Sequence, residues 1–417
     1  MGIVIIIILA FFCWLFWTKR YKGSFISIFS SLWLFVFLFY ESGHLDLYPV
    51  RDSTYIMYII GLLSFYIAYV VSSGIKVFRP FQKSKEKALR FRFIFVLLSL
   101  LSVYVLFQRA ILAIPFWLLG GTDELKSALI VDHALSISFF WDGVYQYVAR
   151  PMQQVLLIFA ILAIATKRNE MLLILLAFLT NILYFIASAA KFSIFAFAVL
   201  FLAYFLYYKR DGFISYLKSN KVLSILLLCV VIGIYSLMWI SSEGEVFDSV
   251  YVYLCGCIPC SDIALESINS APYTYGSVSF NGVLAFLKFP SELFGIMPDL
   301  RDLADESFRK MMKFEEAVNI SDKINYNAFI SMFSYFYADG GYLGVFLLSF
   351  LSGYICQRIN YNAFHNPSYR DIAFLFYITS VIVDSLVRFP LFFTTYFMAI
   401  IYLIIFIPKN KVKIDSI

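Results

Sequence analysis

Residues 2–23 read GIVIIIILAFFCWLFWTKRYKG, a run of 17 uncharged, mostly apolar residues followed at once by a basic segment with Lys19, Arg20 and Lys22. About 20 apolar residues in a helix cross the roughly 30 Å hydrocarbon core of a bilayer. Because positive charges are retained on the cytoplasmic side, the basic end of this run indicates that the N-terminus lies outside. The stretch therefore predicts a membrane-spanning helix that enters from the outer face.

The same alternation of apolar run and polar connection recurs along all 417 residues. The chain is 62% hydrophobic and 14% charged, whereas soluble domains are about half apolar and about a quarter charged. This composition excludes a soluble globular domain and a disordered chain, and it predicts an all-α polytopic integral membrane protein. Eleven candidate spans are read from the apolar runs, at about residues 2–17, 24–40, 54–73, 93–114, 148–166, 171–188, 192–208, 222–240, 340–357, 371–388 and 391–407.

The charges segregate across this predicted topology. With the N-terminus outside and the C-terminus inside, the cytoplasmic loops hold 21 of the 33 Lys and Arg residues and 5 of the 27 acids. The inner face then carries +16 and the outer face −10, which together give the net charge of +6. The segregation supports the eleven-helix, N-out and C-in arrangement. The basic stretch 76–92 joins two spans at the inner leaflet, so anionic lipid headgroups are its expected partner and a nucleic acid is not.

Two external segments interrupt the spans. Residues 109–147 contain Pro115 and a polar run, and they predict an irregular external segment within the first part of the chain, 1–240. Residues 241–339 predict a large external cap, because apolar residues recur at helical spacing between 300 and 312, as on a helix that lies on a membrane surface. Residues 340–417 then hold the last spans and a basic tail.

Several classes of chemistry lack the residues they need. Three histidines and no HExxH pattern provide no paired-His metal site, and Walker, GxSxG and GxGxxG motifs are absent. We therefore expect no metal and no cofactor. Cys255, Cys257 and Cys260 form a CxCxxC pattern that is open to three interpretations: a metal site, a disulfide or buried packing, the last being favoured because no fourth ligand is evident.

Cations at the outer ends of the predicted spans are the candidate binding residues. A guanidinium can form two parallel hydrogen bonds to a phosphate, and the low dielectric near the interface strengthens the contact. The alternative for each residue is simple anchoring at the lipid surface. Lys191 lies in a hairpin turn, and Arg388 follows Asp384 by one helical turn. The full set of candidates is Lys191, Arg388, Arg109, Arg150, Arg301, Arg51 and Arg309.

Three acids are candidates for proton transfer. Asp262 and Glu266 are one helical turn apart. Each is equally well explained as a general base or as a solvated residue on the protein surface. Asp339 precedes Gly340 and Gly341 at the start of a span, where capping a helix is the favoured role and catalysis the alternative.

The arrangement resembles the oligosaccharide repeat-unit polymerases, the Wzy-type O-antigen polymerases of bacterial envelopes. The likeness lies in an aromatic-rich approach to a DxG…G span after a large external loop, here Asn327 to Gly344 and on to Gly353, and in an earlier motif, Tyr251-Val252-Tyr253 with Gly256 and Leu265, followed by Tyr275-Gly276. Ala190-Lys191 stands where such enzymes usually carry Ser-Arg. The lysine keeps the positive charge but lacks the paired N–H donors of a guanidinium.

The resemblance implies a fold similar to that of the GT-C-like lipid-linked glycan polymerases and ligases. It implies a glycosyltransferase in the bacterial inner membrane, with its active site facing the periplasm. The donor is then an undecaprenyl-diphosphate-linked oligosaccharide, and a chain-length regulator protein is an expected partner. Such a reaction needs cations for the departing diphosphate and a carboxylate for the acceptor hydroxyl. Open aromatic rings are the candidates to stack on sugars, although a tyrosine at a membrane interface is ordinarily an anchor; they are Tyr251, Tyr253, Tyr273 and Tyr275.

Two alternatives remain beside the polymerase. An O-antigen ligase is the nearest, although ligases of that family carry a histidine in the large external loop and 241–339 has none. A lipid-linked oligosaccharide flippase is a transporter rather than an enzyme, and it would be expected to lack so large an external segment. The sugars, the linkage and the stereochemical outcome are not encoded in any motif of the chain.

Overall fold

The computed structural model describes most of the chain. The described residues are 1–17, 24–73, 89–130, 138–165, 170–188, 199–204, 206–207, 246–295, 298–312, 317–327, 330–365, 367–386 and 388–411. Lys191 and the predicted span 222–240 lie outside them, as does most of the predicted span 192–208.

Helices make up nearly all of the described chain. They are α1 (Gly2–Phe16), α2 (Phe25–Glu41), α3 (Asp52–Ser73), α4 (Arg92–Ile130), α5 (Phe139–Val144), α6 (Arg150–Ala165), α7 (Met171–Ser188), α8 (Val246–Cys255), α9 (Cys257–Asn269), α10 (Asn281–Phe294), α11 (Pro298–Met312), α12 (Met332–His365), α13 (Tyr369–Asp384) and α14 (Thr394–Phe406). A π-helical turn, Tyr145–Ala149, joins α5 to α6. A two-stranded antiparallel hairpin pairs β1 (Ala317–Asn319) with β2 (Asn325–Asn327), with Val318 opposite Tyr326.

The architecture is that of an all-α membrane protein. Within the described residues, five helical stretches are long and apolar enough to cross a membrane: Asp52–Ser73, Arg92–Leu118, Phe140–Ile164, Met171–Ser188 and Met332–His365. Three shorter apolar helices, α1, α2 and α14, coincide with further predicted spans.

The expectation of an irregular segment at 109–147 is wrong for its described part. α4 continues without interruption through Pro115 to Ile130, and α5 and the π-helical turn carry the helical path from Phe139 to Ala149. Proline is tolerated inside membrane helices because neighbouring groups satisfy the backbone acceptor that it frees. Arg109 therefore lies well inside a helix rather than at the end of one.

The chain divides into two compact units. The first comprises Met1–Pro80, Phe247–His365 and Val381–Phe397, and the second comprises Phe81–Val246, Asn366–Ser380 and Met398–Ile417. Each unit has its own buried core.

The first unit is built on close packing of α3 against α12. Gly353 contacts the backbone of Phe65, and Gly61 contacts the ring of Phe333, so that a larger residue at either glycine would force the helices apart. Trp33, on α2, lies 5.3 Å from the Phe333 ring and 5.5 Å from the Tyr58 ring, centroid to centroid. These buried rings hold α2, α3 and α12 together.

In the second unit, α4 packs along α6 and α7. Its core contains Val105, Leu106, Ala110, Tyr145, Ala149, Leu183 and Ala187. At one end of α4, Arg92 forms two hydrogen bonds to the Glu170 carboxylate, at 3.0 and 2.7 Å. The unit thus brings Tyr145 and the helices that flank it into one packed layer.

Candidate functional site

A short loop before α3 carries the first candidate site, in the first unit. Arg51 donates from its backbone N–H and from Nε to the two oxygens of the Asp262 carboxylate, at 3.1 and 3.0 Å. Thr54 donates to the same carboxylate, so Asp262 caps the first turn of α3. The Arg51 guanidinium also lies 3.5 Å from the Glu266 carboxylate. Both acids come from one face of α9, as their four-residue spacing predicted.

The two acids differ in what remains accessible. The Asp262 side chain is 14% exposed and saturated by Arg51 and Thr54, whereas the Glu266 side chain is 77% exposed and touches Arg51 at one edge only. A carboxylate must reach an incoming hydroxyl to accept its proton. The geometry therefore favours a structural role for Asp262 and leaves Glu266 as the acid that fits proton transfer.

The loop 42–51 is tied to the large loop at two more points. His44 lies 2.7 Å from the Asp248 carboxylate, and its ring meets that of Tyr251 edge-on at 4.9 Å. Tyr48 donates two hydrogen bonds to the large loop: its backbone N–H donates to the Ile320 carbonyl at 2.8 Å, and its hydroxyl donates to the Asp322 carboxylate at 3.0 Å. The hydrogen bond to Asp322 raises the pKa of the Tyr48 hydroxyl above its usual value.

Asp339 anchors a different part of the large loop. α12 breaks at Gly340 and Gly341, the latter with a φ of 60°, and Asp339 lies directly before the break. Its buried carboxylate accepts hydrogen bonds from the Thr274 hydroxyl at 2.6 Å and from the backbone N–H groups of Val278 and Ser279 at 3.1 and 2.9 Å. Three donors and 4% exposure favour a structural role for Asp339 over a catalytic one. It caps the turn before α10 rather than its own helix, which the sequence did not indicate.

The tyrosines named as sugar-stacking candidates fall into two groups. Tyr251 is buried at 3% exposure and packs on His44, while Tyr253 is only partly exposed. Tyr273 and Tyr275 are 42% and 87% exposed, on the loop that Asp339 anchors. Only the second pair presents open rings to a ligand.

Arg388 lies between α13 and α14, where it contacts an aromatic ring and the end of α13. The Arg388 guanidinium lies over the Phe393 ring, 4.8 Å from its centroid, and its backbone N–H donates to the Asp384 carbonyl at 2.8 Å. The Asp384 carboxylate accepts from the Tyr396 hydroxyl at 2.8 Å, and the charge of Arg388 acts on the same carboxylate. Arg301 lies on α11, but its side chain is outside the described part of the structure, and Lys191 is outside it altogether.

The second candidate site brings Arg109 and Arg150 together in the second unit. The Arg109 guanidinium lies on the Tyr145 ring, 3.6 Å from its centroid, and forms an ion pair with Asp142. Arg150 lies 5.8 Å from the centroid of the same ring and donates to the Tyr184 hydroxyl at 2.8 Å. These residues come from α4, α5, the π-helical turn, α6 and α7. The prediction that both arginines bind a ligand is compatible with this pairing.

The electrostatics of this arginine cluster, Arg109, Asp142, Tyr145, Arg150 and Tyr184, are unusual for a membrane segment. Two guanidiniums and one carboxylate lie inside helices that are apolar enough to span a bilayer. The Arg109 side chain is 11% exposed, and its Nε is buried without a hydrogen-bond partner in the described part of the chain. A buried charged donor without an acceptor is costly, and an anionic ligand supplies the acceptor it lacks.

No metal-binding group of three His, Cys, Asp or Glu side chains occurs among the described residues. Cys255, Cys257 and Cys260 are buried and carry free thiols. Burial raises the pKa of Cys255 and of Cys260 from 9.0 to about 12. The Cys255 thiol lies 3.6 Å from the Val36 carbonyl, so the cluster packs against α2 as small apolar residues do.

Sequence reasoning missed three members of these sites. Tyr145, Asp142 and Tyr184 were not singled out, because nothing in the order of residues shows that two arginines will lie near one ring. The five-residue spacing of Tyr145 and Arg150 fits the π-helical turn between them, a feature that often accompanies functional sites. A search for charged residues inside apolar runs would have found Asp142.

Fold and sites together define an all-α membrane protein with an arginine cluster inside its apolar helices and an exposed acid beside the loop that precedes α3. Comparisons with protein-family models, with curated proteins and with solved structures gave no match.

Proposed function

We propose that this chain is a membrane glycosyltransferase that acts on a polyprenyl-diphosphate-linked glycan. The observation that supports the proposal is that the Arg109 and Arg150 guanidiniums lie 3.6 and 5.8 Å from the centroid of one ring, Tyr145, and that the buried Arg109 Nε has no acceptor among the described residues. A diphosphate carries several acceptor oxygens, and two guanidiniums match them in geometry and in charge. The apolar surroundings suit the lipid tail of such a donor and strengthen the ion pairing.

In the proposed reaction, the acceptor hydroxyl oxygen forms a new bond to the anomeric carbon of the donor sugar. The bond from that carbon to the diphosphate breaks, and the polyprenyl diphosphate leaves with the electron pair and accumulates negative charge. Arginines stabilise this charge more in the transition state than in the ground state. A carboxylate takes the proton of the acceptor hydroxyl.

The finer proposal is a repeat-unit polymerase in the bacterial inner membrane, active at the periplasmic face. It rests on the resemblance of the loop and of the DxG…G span to the Wzy-type enzymes, and a chain-length regulator would then be a partner. The undecaprenyl-diphosphate-linked oligosaccharide is the donor in this proposal, and no metal or other cofactor enters the reaction.

Deletion of the gene in its own host, followed by gel analysis of the surface polysaccharide, tests the proposal. A polymerase predicts that the long-chain ladder collapses to a core that bears one repeat unit. Loss of all repeat-bearing lipid, with intermediates held at the inner leaflet, would instead identify a flippase. An unchanged ladder would remove the protein from this pathway and contradict the proposal.

A further inference from the structure

The loop 271–280 presents aromatic rings to the outside while its backbone is held firmly. The backbone N–H groups of Thr274 and Tyr275 donate to the Ala338 and Asp339 carbonyls at 3.1 and 2.9 Å. Lys310 donates to the Pro272 carbonyl at 2.5 Å, from the other side of the loop. Together with the hydrogen bonds to the Asp339 carboxylate, these contacts hold the loop at residues 272, 274, 275, 278 and 279. The rings that the loop carries are therefore positioned before any ligand arrives.

Tyr275 is the most unusual of these residues. Its ring is 87% exposed, and its backbone has a φ of 49°, a left-handed conformation that non-glycine residues seldom adopt. Neither feature stabilises the fold, since an exposed ring buries little apolar surface and the left-handed backbone is unfavourable for a residue with a side chain. Strained residues that the surrounding structure holds in place are concentrated at binding sites. Tyr275 thus has the properties of a ligand contact rather than a packing residue.

Two further tyrosines connect Tyr275 to the exposed acid. The Tyr273 hydroxyl lies against Gly341, where an added Cβ would be 2.7 Å away, and its ring remains 42% exposed. Tyr342, the residue after that glycine, is 36% exposed and donates to the Ser53 carbonyl at 3.3 Å. Ser53 lies two residues after Arg51, and the Arg51 guanidinium contacts the Glu266 carboxylate. The surface therefore runs from open aromatic rings to a guanidinium and a carboxylate.

We infer that Tyr273, Tyr275 and Tyr342, with Arg51 and Glu266 at one end, form a saccharide-binding surface. A pyranose ring has an apolar C–H face and a rim of hydroxyls. Exposed tyrosine rings cover the apolar face at a low cost in side-chain entropy, and a carboxylate and a guanidinium accept from and donate to the hydroxyls. The inference rests on the proposed function for the choice of a saccharide over other ring-shaped ligands.

Binding of the full-length protein in lipid nanodiscs to an array of bacterial surface oligosaccharides tests the inference. The oligosaccharide that binds most strongly on the array is then titrated calorimetrically against each variant. Tyr275→Asn removes the ring and keeps a residue that tolerates the left-handed backbone, and it should raise Kd about tenfold. Tyr275→Phe keeps the ring and should bind as the wild type does. Phe247→Ala is the matched control, because Phe247 is a 64% exposed ring of the same large loop that contacts His44 instead.

Three results would overturn the inference. The first is the absence of wild-type binding to the array. The second is wild-type affinity in Tyr275→Asn, and if that variant also melts at a lower temperature in nanodiscs, the ring is a membrane-interface anchor. The third is an equal loss in Phe247→Ala. The outcome is separate from that of the proposed function: saccharide binding with an unchanged polysaccharide ladder on gene deletion retains the surface and rejects the polymerase, and the reverse pattern rejects the surface alone.

Discussion

Arg51 reaches the Asp262 carboxylate through both its backbone N–H and its Nε, at 3.1 and 3.0 Å, and its Nη2 donates to the Asp262 backbone carbonyl at 2.5 Å. One residue thereby closes the N-terminal turn of α3 and fixes α9 against it. The same guanidinium leaves its remaining edge to Glu266, which is mostly exposed. The two acids look alike in sequence but differ in the structure: Asp262 is a mostly covered helix cap, and Glu266 is an open carboxylate.

The first prediction concerns stability. Asp262→Asn should lower the free energy of unfolding by about 2 kcal/mol, because it removes charge-assisted hydrogen bonds to Arg51 and to Thr54. Glu266→Gln should change it by less than about 1 kcal/mol, as expected for an exposed ion pair. Thermal unfolding of the two variants in the same detergent measures the difference, and equal melting temperatures would contradict the assigned roles.

The second prediction concerns activity. Glu266→Gln should reduce glycan transfer at least about 100-fold, because an amide cannot take the acceptor proton. The variant should retain wild-type stability, so that the loss cannot be attributed to unfolding. Complementation of the deletion strain, read as the length of the polysaccharide ladder, measures the effect. A full-length ladder at normal protein abundance would show that Glu266 is not the base.

The third prediction concerns the arginine cluster. Arg109→Lys keeps the charge and loses the planar fork, and it should weaken binding of a polyprenyl diphosphate in nanodiscs about tenfold. Arg150→Lys should act in the same direction. Arg92→Lys, on the same helix as Arg109 but 61% exposed and paired with Glu170, is the control and should bind normally. Equal affinities in all three variants would rule out an anion site at Tyr145.

The fourth prediction concerns the anchored loop. Asp339→Asn replaces a carboxylate that accepts three hydrogen bonds, and it should destabilise the protein by about 1–3 kcal/mol. Amide hydrogen exchange should rise at residues 274–279, because their donors lose a charged acceptor. Asp322→Asn, at an exposed carboxylate that meets Tyr48, should leave exchange in that loop unchanged. Unaltered exchange in Asp339→Asn would contradict the anchoring role.

The fifth prediction concerns pH. Burial raises the pKa of the Cys255 and Cys260 thiols to about 12 in the folded protein, against 9.0 for a free thiol. At pH 8 the thiolate fraction is then about 1000-fold lower than in the unfolded chain, so alkylation should be correspondingly slow until denaturant is added. Because the unfolded thiols ionise first, the stability they contribute is present below pH 9 and is lost as the pH rises from 9 towards 12. Rapid labelling of folded protein at pH 8, located by peptide mass spectrometry, would contradict this burial.

Much of the fold follows from local composition. Apolar runs such as 2–17, 54–73 and 171–188 coincide closely with helices, because a run of this kind in a membrane must satisfy its own backbone hydrogen bonds. The end of α4 was missed because Pro115 and the polar residues after it read as a loop by the rules of soluble proteins. In a membrane protein those rules weaken, and the helix continues to Ile130.

The sequence by itself determined that this is an all-α membrane protein, and it nominated Arg109, Arg150, Asp262 and Glu266. It determined the shared face of the two acids as well, since a four-residue spacing fixes neighbours on one helix. Only the tertiary structure decided that Arg51 saturates Asp262 and leaves Glu266 open, that two arginines lie near the Tyr145 ring, and that Asp339 anchors a loop some 60 residues away in sequence. Burial and hydrogen-bond saturation depend on which distant segments pack together, and no local pattern of residues records that.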